Sequence, residues 1–248
     1  LQVIEFAFQE TQHARLIFFN DAPLDALDQV LVVDNASTDG TQAYLEEFGQ
    51  RHPDVRMVLN SDNLGFAAGN NVGLSIATGD YLVVLNNDTV VTHGWVLSLL
   101  RHFQRVPTLG LLGPVTGNIG NEARIEITYP DLAHMPATAL NYTLAHMGER
   151  YPMKNVAFFC AMFPRSTYES CGEISEDYGL GFFEDDDYCR KVEAEGLAIA
   201  CAEDVFVHHH LSASFNKMND EKRRALVERN KAIYESKWGR WEPHRYRP

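Results

Sequence analysis

The sequence predicts an α/β fold in which helices flank a mixed, mostly parallel sheet. Apolar runs alternate with helical patterns along most of the 248 residues, which is typical of successive βαβ units. Acidic and amide side chains follow several of these runs, and an open α/β sheet binds its ligand at the carboxyl ends of its strands. The two observations together predict a ligand-binding α/β domain.

Composition limits the classes of function. The formal net charge is −13, and no stripe of Lys and Arg is available to replace the counterions of a nucleic acid, so nucleic-acid binding is not expected. No apolar run approaches the ~18–20 residues that span a bilayer, and no signal segment opens the chain, so we expect a cytoplasmic protein. Cys160, Cys171, Cys189 and Cys201 form no C-x-x-C pair and are predicted to be reduced, buried thiols.

Each element of the first half has a local signature. Short β-branched and aliphatic runs predict strands, and amphipathic or small-residue stretches between them predict helices, the first of them opened by the capping cluster at 37–39. The predicted strands are 30–33, 55–59, 81–85 and 109–113, and the predicted helices are 41–49, 67–77 and 95–106.

The second half is less regular. Gly, Asn, Pro and Tyr are frequent over 114–155, which predicts a lobe or long loops over the sheet edge. Further predicted elements are a strand at 156–163, a helix at 184–195, strands at 197–201 and 205–207, and a helix at 220–238. For the basic, aromatic end KWGRWEPHRYRP, a solvated tail is favoured over contact with a membrane surface or a partner subunit.

The block VVDNASTDGT (32–41) ends the first apolar run. Asp34 stands where a carboxylate would accept hydrogen bonds from a base or ribose, and Asn35 follows it. The same residues are also typical of an ordinary strand-to-helix turn with side-chain caps. Taken alone, this block favours the ordinary turn.

The segment NLGFAAGNN (63–71) permits two interpretations. Gly65 and Gly69 would let backbone amides approach a ligand, and the N-terminus of the following helix would attract a diphosphate. Alternatively, the small residues serve close packing between helix and strand. Neither standard glycine-rich phosphate motif is present.

The block VVLNNDT (83–89) indicates a metal site. Asp88 is well placed after a strand to bind a hard divalent cation such as Mg²⁺ or Mn²⁺, and Asn86 and Asn87 can supply neutral oxygens or orient a sugar. A bridging cation would also reconcile an anionic diphosphate with the acidic chain. An Asn-Asn-Asp turn at a strand end is otherwise common in loops.

Four consecutive carboxylates, 184–187, open a predicted helix. Negative charges at this position interact favourably with the helix dipole, and Asp186 with Arg190 forms a plausible i,i+4 pair. Four like charges exceed what capping requires, and a carboxylate whose proton affinity is raised by a neighbour suits a general base. In His208-His209-His210, alternation along a strand prevents all three rings from facing one metal, so at most one is expected to bind it.

These blocks, in the order VVDNASTDGT, NLGFAAGNNVGL, GDYLVVLNNDT, FFEDDDYCRKVEAEG and VHHHLSASF, resemble the family 2 glycosyltransferases with a GT-A fold. The resemblance covers about 28–216 and is strongest to the rhamnosyltransferase-like bacterial branch. It implies an inverting, metal-dependent transfer of a sugar from a nucleoside diphosphate sugar, dTDP- or UDP-linked, to a glycan or lipid-linked acceptor, as in cell-surface polysaccharide synthesis.

The resemblance also implies site roles. Asp34 and Asn35 would contact the nucleobase or ribose, and the remaining donor-site residues would be Asn63, Gly65, Asn71, Asn86 and Asn87. Asp88 and His209 would bind the metal, while Asp185, assisted by Glu184, would be the general base.

The resemblance further implies a division of the chain. Residues 1–113 would bind the nucleotide sugar, 114–215 would bind the acceptor and complete catalysis, and 216–248 would form a C-terminal helix and basic tail. Two positions depart from the family pattern: VIEFAFQETQ (3–12) replaces the usual opening strand, and Asn86 replaces the first Asp of the D-x-D motif. They keep open an alternative function, a non-catalytic domain of this fold that binds sugar nucleotides.

Overall fold

The computed structural model describes residues 14–20, 29–210 and 219–247. Its strands are β1 (Ala14–Asn20), β2 (Gln29–Asp34), β3 (Val55–Leu59), β4 (Tyr81–Asn86), β5 (Thr89–Val91), β6 (Leu109–Val115), β7 (Arg150–Pro152), β8 (Cys160–Pro164) and β9 (Ala198–His209). Its α-helices are α1 (Thr41–Arg51), α2 (Phe66–Ile76), α3 (Trp95–Arg105), α4 (Met135–Ala145), α5 (Arg165–Cys171), α6 (Glu184–Ala194) and α7 (Asp220–Trp238).

The strands form one mixed sheet in the order β3-β2-β1-β4-β8-β6-β9-β5, and β7 also pairs with β9. Among the described strands, β2, β3, β4, β6 and β9 run in one direction, while β1, β5, β7 and β8 run in the other. The predicted mixed α/β sheet flanked by helices is therefore confirmed.

The core lies on both faces of the sheet. Along β2, Leu31 and Val33 pack into the cluster that includes α2, whereas Val32 packs into the cluster that includes α1 and α3. Strand β4 alternates in the same way. Strands buried on both faces read as continuous apolar runs, which explains why these two were predicted well.

The predicted strands of the second half need correction. The strand predicted at 156–163 begins only at Cys160, and those predicted at 197–201 and 205–207 are a single strand, β9. The polar pair Glu203-Asp204 suggested a break between them. Instead, a hydrogen bond between His102 and Asp204 and an ion pair between Arg247 and Glu203 hold both carboxylates inside the fold.

The 114–155 segment is more ordered than predicted, because it contains the end of β6 together with α4 and β7. Only Met135 and Ala139 of α4 are buried, whereas Leu140 and Leu144 are exposed. The sequence of α4 therefore lacks the amphipathic pattern that would predict a helix. None of the helices in the described ranges has the length and apolar character needed to cross a bilayer. All four cysteines are free thiols, and Cys171 is half-buried rather than buried.

The predicted solvated tail is wrong. Residues 239–247, here called the C-terminal strap, pack back onto the domain. Arg247 forms a 2.5 Å ion pair with buried Glu203, and the Arg124 guanidinium lies 4.9 Å from the ring centre of Tyr246. Trp241, His244 and Arg247 of the strap are half-buried against the domain, whereas Arg240, Glu242 and Arg245 are exposed.

Candidate functional site

The structure brings the predicted site residues together in three groups. The first lies at the end of β2, around Asp34. Its Oδ2 accepts hydrogen bonds from the Ser37 backbone N–H (3.0 Å) and from Gln42 Nε2 (2.8 Å). Its Oδ1 is buried and has no hydrogen-bond partner among the described residues. One oxygen therefore fixes the turn, while the other retains an acceptor for a ligand.

The cap predicted for α1 needs correction. The N-cap residue is Gly40, in the left-handed region at φ 90°, and no side chain caps the helix there. Asp39 instead accepts hydrogen bonds from the backbone N–H and the hydroxyl of Thr41. Glycine adopts this conformation without the steric cost of a Cβ.

Asn35 organises the next loop. Its Nδ2 donates to Asn63 Oδ1 and to the Gly65 carbonyl, both at 3.0 Å. Its Oδ1 accepts from Asn60 Nδ2 and from the Leu64 backbone N–H, both at 3.1 Å. The amide is fully bonded within the protein. The side chain of Asn35 thus holds the 60–65 loop, and its contact with the donor stays a prediction.

Close packing accounts for the other residues of this segment. Gly65 has φ 89°, and a Cβ on it would lie 2.2 Å from the Gly179 carbonyl oxygen. Asn71 binds both backbone groups of Ile174 and donates to Glu176 Oε1 at 3.0 Å. These contacts join the donor-side loop and α2 to the segment that leads into α6. Donor contact by Asn63, Gly65 and Asn71 stays a prediction.

The second group pairs Asp88 with His209. Strand β5, which follows Asp88, is antiparallel to the end of β9, with Thr89 opposite His209. The Asp88 carbonyl accepts a 2.9 Å hydrogen bond from the His210 backbone N–H. Asp88 Oδ1 and His209 Nε2 are 3.5 Å apart, and their side chains are 17% and 7% exposed. The two residues predicted to bind the metal are thus neighbours in a mostly buried position.

Hydrogen bonding defines the tautomer of His209. Its Nδ1 lies 3.3 Å from the Asn118 carbonyl oxygen, which can only accept, so Nδ1 carries the proton. The other ring nitrogen, Nε2, then faces Asp88. Phe159 stacks on this ring, with centroids 4.6 Å apart and planes at 16°.

This donor set fits a divalent cation. A carboxylate and an imidazole nitrogen with its other nitrogen hydrogen-bonded form a typical ligand pair. The described ranges contain no group of three or more His, Cys, Asp or Glu residues arranged to hold a metal. Water and oxygens of the bound ligand would therefore complete the coordination shell.

The other two histidines have contacts of their own. His208 Nδ1 is hydrogen-bonded to the Tyr129 hydroxyl, and His208 Nε2 lies 3.4 Å from His210 Nδ1. Burial, together with His210 and His209, lowers the pKa of His208 to about 4, although the charge of Asp88 acts in the opposite direction, so this ring is neutral at pH 7. Metal binding by His209 stays a prediction.

The third group is the N-terminus of α6. Asp185 is half-buried, and Glu184 is buried. Burial and the charge of Asp186 raise the pKa of Asp185 to about 7, although His244 acts in the opposite direction. A carboxylate with such a pKa can accept a proton near neutral pH, as a general base must.

The turn before α6 is strained. Phe182 and Phe183 have φ values of 73° and 75°, a conformation that bulky residues rarely adopt. Asn230, buried on α7, holds this turn by donating to the carbonyls of Tyr178 and Gly181, both at 2.7 Å, and to that of Phe182 at 3.2 Å. Helix α7 thus fixes the conformation from which the acidic cluster projects.

Sequence reasoning missed the partners of two acidic residues. The Asp186–Arg190 pair is absent, since Arg190 binds Glu193 at 2.6 Å and Asp186 binds His244 at 3.1 Å. Asp187 accepts two hydrogen bonds of 2.9 Å, one from the Tyr178 hydroxyl and one from Trp238 Nε1. The sequence signal for these partners is the presence of Trp238, Trp241 and His244 in the C-terminal end, for which we predict a solvated tail.

The fold is similar to that of solved glycosyltransferase structures. The chain is 15% identical to GalNAc-T7, solved with UDP, GalNAc and Mn²⁺, with a TM-score of 0.59 over 88% of this chain and 45% of that chain. It is 23% identical to the mannosyltransferase PcManGT of Pyrobaculum calidifontis, solved with GDP-Man and Mn²⁺, with a TM-score of 0.56 over 83% and 55%. The fold is GT-A, as predicted.

The family follows from the sequence. The pattern of Glycosyl transferase family 2 matches residues 20–172. The chain therefore belongs to glycosyl transferase family 2, which confirms the resemblance stated above. The opening segment VIEFAFQETQ lies outside the described residues.

The alignments with known relatives cover different fractions of this chain and of each relative. It is 24% identical to uncharacterized protein y4gI of Sinorhizobium fredii, over 85% of this chain and 24% of that protein. It is 27% identical to the N-acetylglucosaminyl-diphospho-decaprenol L-rhamnosyltransferase of Mycobacterium tuberculosis, over 75% and 67%. The pre-mycofactocin glycosyltransferase of that organism is 34% identical over 35% of this chain, which spans only 18% of the enzyme.

Proposed function

We propose that this domain is an inverting, metal-dependent glycosyltransferase. It would move a sugar from a dTDP- or UDP-linked donor to a hydroxyl of a glycan or lipid-linked acceptor, in cell-surface polysaccharide synthesis. Membership of the family and the similarity to a rhamnosyltransferase support the class of reaction. The observation that carries the proposal is the position of Asp185, half-buried at the start of α6 after the strained turn that Asn230 holds, and the raised pKa of Asp185 agrees with this role.

Asp185 would act as the base in a direct displacement. It removes the proton of the acceptor hydroxyl as the oxygen attacks the anomeric carbon and the bond to the donor diphosphate breaks. Attack from the side opposite the leaving group inverts the anomeric configuration. A pKa near the working pH combines a useful ionised fraction with a strong enough base. Glu184, the adjacent buried carboxylate, would support it.

Asp88 and His209 would hold Mg²⁺ or Mn²⁺. Such an ion supplies a positive charge that stabilises the departing diphosphate. It also offsets the repulsion between an anionic donor and a chain of net charge −13. The two solved structures contain Mn²⁺ together with UDP or GDP-Man, which supports a cation of this kind.

The donor is proposed to lie along the ends of β2 and β4. Asp34 would bind the nucleobase or ribose through Oδ1, and Asn86 and Asn87 would orient the sugar. The loop that Asn35 holds would form the adjoining wall. On this arrangement 1–113 binds the donor, 114–215 the acceptor, and 216–248 supports α6. A cytoplasmic location, with peripheral contact at the inner face of the membrane, is proposed with it.

The test is Asp185→Asn, assayed for transfer with Mn²⁺ and a panel of dTDP- and UDP-sugars. The amide cannot accept the proton, so transfer should fall by about 10²-fold or more while donor binding persists in a thermal-shift assay. Glu193→Gln, a change of one carboxylate on the same helix, is the matched control. Undiminished turnover by the Asp185 variant would contradict the assignment. Donor binding by the native protein, without hydrolysis or transfer, would favour the non-catalytic alternative.

A further inference from the structure

His244 of the C-terminal strap lies at the N-terminus of α6. Its Nε2 is 3.1 Å from Asp186 Oδ1, and the two side chains are 27% and 13% exposed. Trp241 Nε1 also points to this oxygen, at 3.4 Å. A residue from the end of the described chain thus contacts the carboxylate next to the proposed base.

The strap is anchored on both sides of His244. On one side, the Trp241 backbone N–H donates to Glu235 Oε1 at 3.1 Å, and the Trp241 ring meets Phe183 edge-on, with centroids 5.3 Å apart. On the other, Arg247 pairs with buried Glu203 and lies 4.4 Å from the ring centre of Tyr151. The position of His244 is therefore fixed by the fold.

We infer that His244 is a positioning residue for the proposed transfer: as an imidazolium it binds Asp186 and thereby keeps the adjacent Asp185 ionised and available as the base. The inference rests on the proposed function, because it needs Asp185 to accept the proton of the acceptor. His244 lies outside the ordered sequence blocks that resemble the family.

The electrostatic argument concerns three groups. Asp185 and Asp186 are adjacent, and like charges make it harder to ionise both. A cation held at Asp186 offsets this repulsion and favours the ionised form of Asp185. Burial opposes the charged form of His244, but the hydrogen bond to Asp186 and the charges of Asp186, Asp185 and Glu122 outweigh it and raise the pKa of His244.

Other charged groups nearby have partners of their own or lie farther away. On α6, Arg190 pairs with Glu193. On α7, Glu235 accepts from the strap, and Lys231 lies 5.9 Å from the ring centre of Trp241. Tyr234 also lies near Asp186, whose charge contributes to its raised pKa. Within the described ranges, His244 is the only cationic group within ion-pair distance of Asp186, and no Lys or Arg pairs with Asp185.

The direction of the pH effect follows. Replacing His244 by neutral glutamine removes the positive charge, so the pKa of Asp185 rises further and the base is protonated at a higher pH. The acid limb of the kcat/KM profile should then move to higher pH. Replacing Asp186 by asparagine removes the repelling charge and should move that limb the other way.

The experiment compares the pH profiles of kcat/KM of the native chain, H244Q, H244R, D186N and R245Q. For H244Q we expect the acid limb to rise by about 0.5–1 pH unit, giving roughly a 3–10-fold loss on that limb that disappears at higher pH. H244R retains the charge and should restore the profile. D186N should shift the limb downward, and R245Q, a charge change on the exposed neighbour, should leave it in place.

An unshifted limb in H244Q would overturn the inference, as would an equal loss at every pH in both H244Q and H244R, which is what a purely structural role gives. Should H244Q fail to fold, the downward shift in D186N and the native-like profile of H244R decide the matter. Asp185→Asn, assayed in parallel, separates the two proposals. If it loses activity while H244Q shows no shift, the inference alone fails. If it keeps activity, the proposed base fails and this inference with it.

Discussion

Two aspartate–histidine pairs each include one residue of β9, and their contacts differ. In the first, His102 Nε2 and Asp204 Oδ1 are 2.6 Å apart, and Arg150 donates to His102 Nδ1 at 2.9 Å. Because arginine can only donate, Nδ1 is the acceptor and Nε2–H points to the carboxylate. The other oxygen of Asp204 accepts from the Gly148 backbone N–H at 2.8 Å. Hydrogen bonds within the protein thus occupy both ring nitrogens of His102 and both carboxylate oxygens of Asp204.

The second pair has different contacts. His209 directs Nδ1–H to the Asn118 carbonyl and its Nε2 to Asp88, 3.5 Å away. The first pair thus has a short structural hydrogen bond, whereas the second pair has the wider spacing and is the one proposed to hold the cation.

The largest effect should come from breaking the second pair. We expect Asp88→Asn to lower transfer by about 10²-fold or more at fixed Mn²⁺, because it removes the anionic ligand while keeping the shape of the side chain. A chelator should abolish native activity, and added Mn²⁺ should restore it. The measurement is the transfer rate against Mn²⁺ concentration. Full activity of the variant, or of the chelated native protein, would argue against the cation site.

Breaking the first pair should affect stability instead. Asp204→Asn replaces the charged acceptor of the hydrogen bonds from His102 and Gly148 by a neutral one, so we expect the free energy of unfolding to fall by about 2 kcal/mol, measured by denaturant titration. The Mn²⁺ dependence of transfer should stay that of the native protein. A changed Mn²⁺ dependence with unchanged stability would mean that the two roles have been exchanged.

The same variant tests a pH effect. Burial opposes ionisation of Asp204, but hydrogen bonds from His102 and Gly148 outweigh it and lower its pKa from 3.8. A lowered pKa means that the stabilisation is complete above 3.8 and is lost as the pH falls below it. The native protein should show this loss of stability in acid, and Asp204→Asn should lack that component.

The smallest effect is expected for Phe159→Leu. This change removes the ring that stacks on His209 but keeps an apolar side chain. A more mobile imidazole should weaken Mn²⁺ affinity by about a few-fold and cost less than about 1.5 kcal/mol of stability. The apparent Mn²⁺ constant from activity titration measures it. A loss as large as that of Asp88→Asn would show that the ring itself is essential to the site.

The sequence predicted best what depends on local pattern. Strands β2 and β4 are buried on both faces and therefore appear as unbroken apolar runs. Asp88 and His209 were predicted together because each belongs to a block in an ordered series of motifs. Glu203-Asp204 misled the strand prediction, since the partners that neutralise these carboxylates are distant in sequence.

The strap contacts were missed for the same physical reason. His244 and Asp186 are 58 positions apart, and no local periodicity connects them. A run of basic and aromatic residues without a sustained apolar face is typical of solvent-exposed tails. Similarly, Asn35 and Asn71 have the residue type of ligand-binding groups, and only their three-dimensional contacts show that their amides are used within the protein.

The turn at Phe182 and Phe183 has a consequence for local unfolding. Left-handed conformations of such residues cost about 1–2 kcal/mol each, and the hydrogen bonds from Asn230 compensate for that cost. When α7 detaches, the turn loses these bonds and relaxes. We therefore expect the last helix and the acidic turn to open as one cooperative unit, with shared amide-exchange protection. The arrangement around Asp185 would then be lost while the central sheet remains folded.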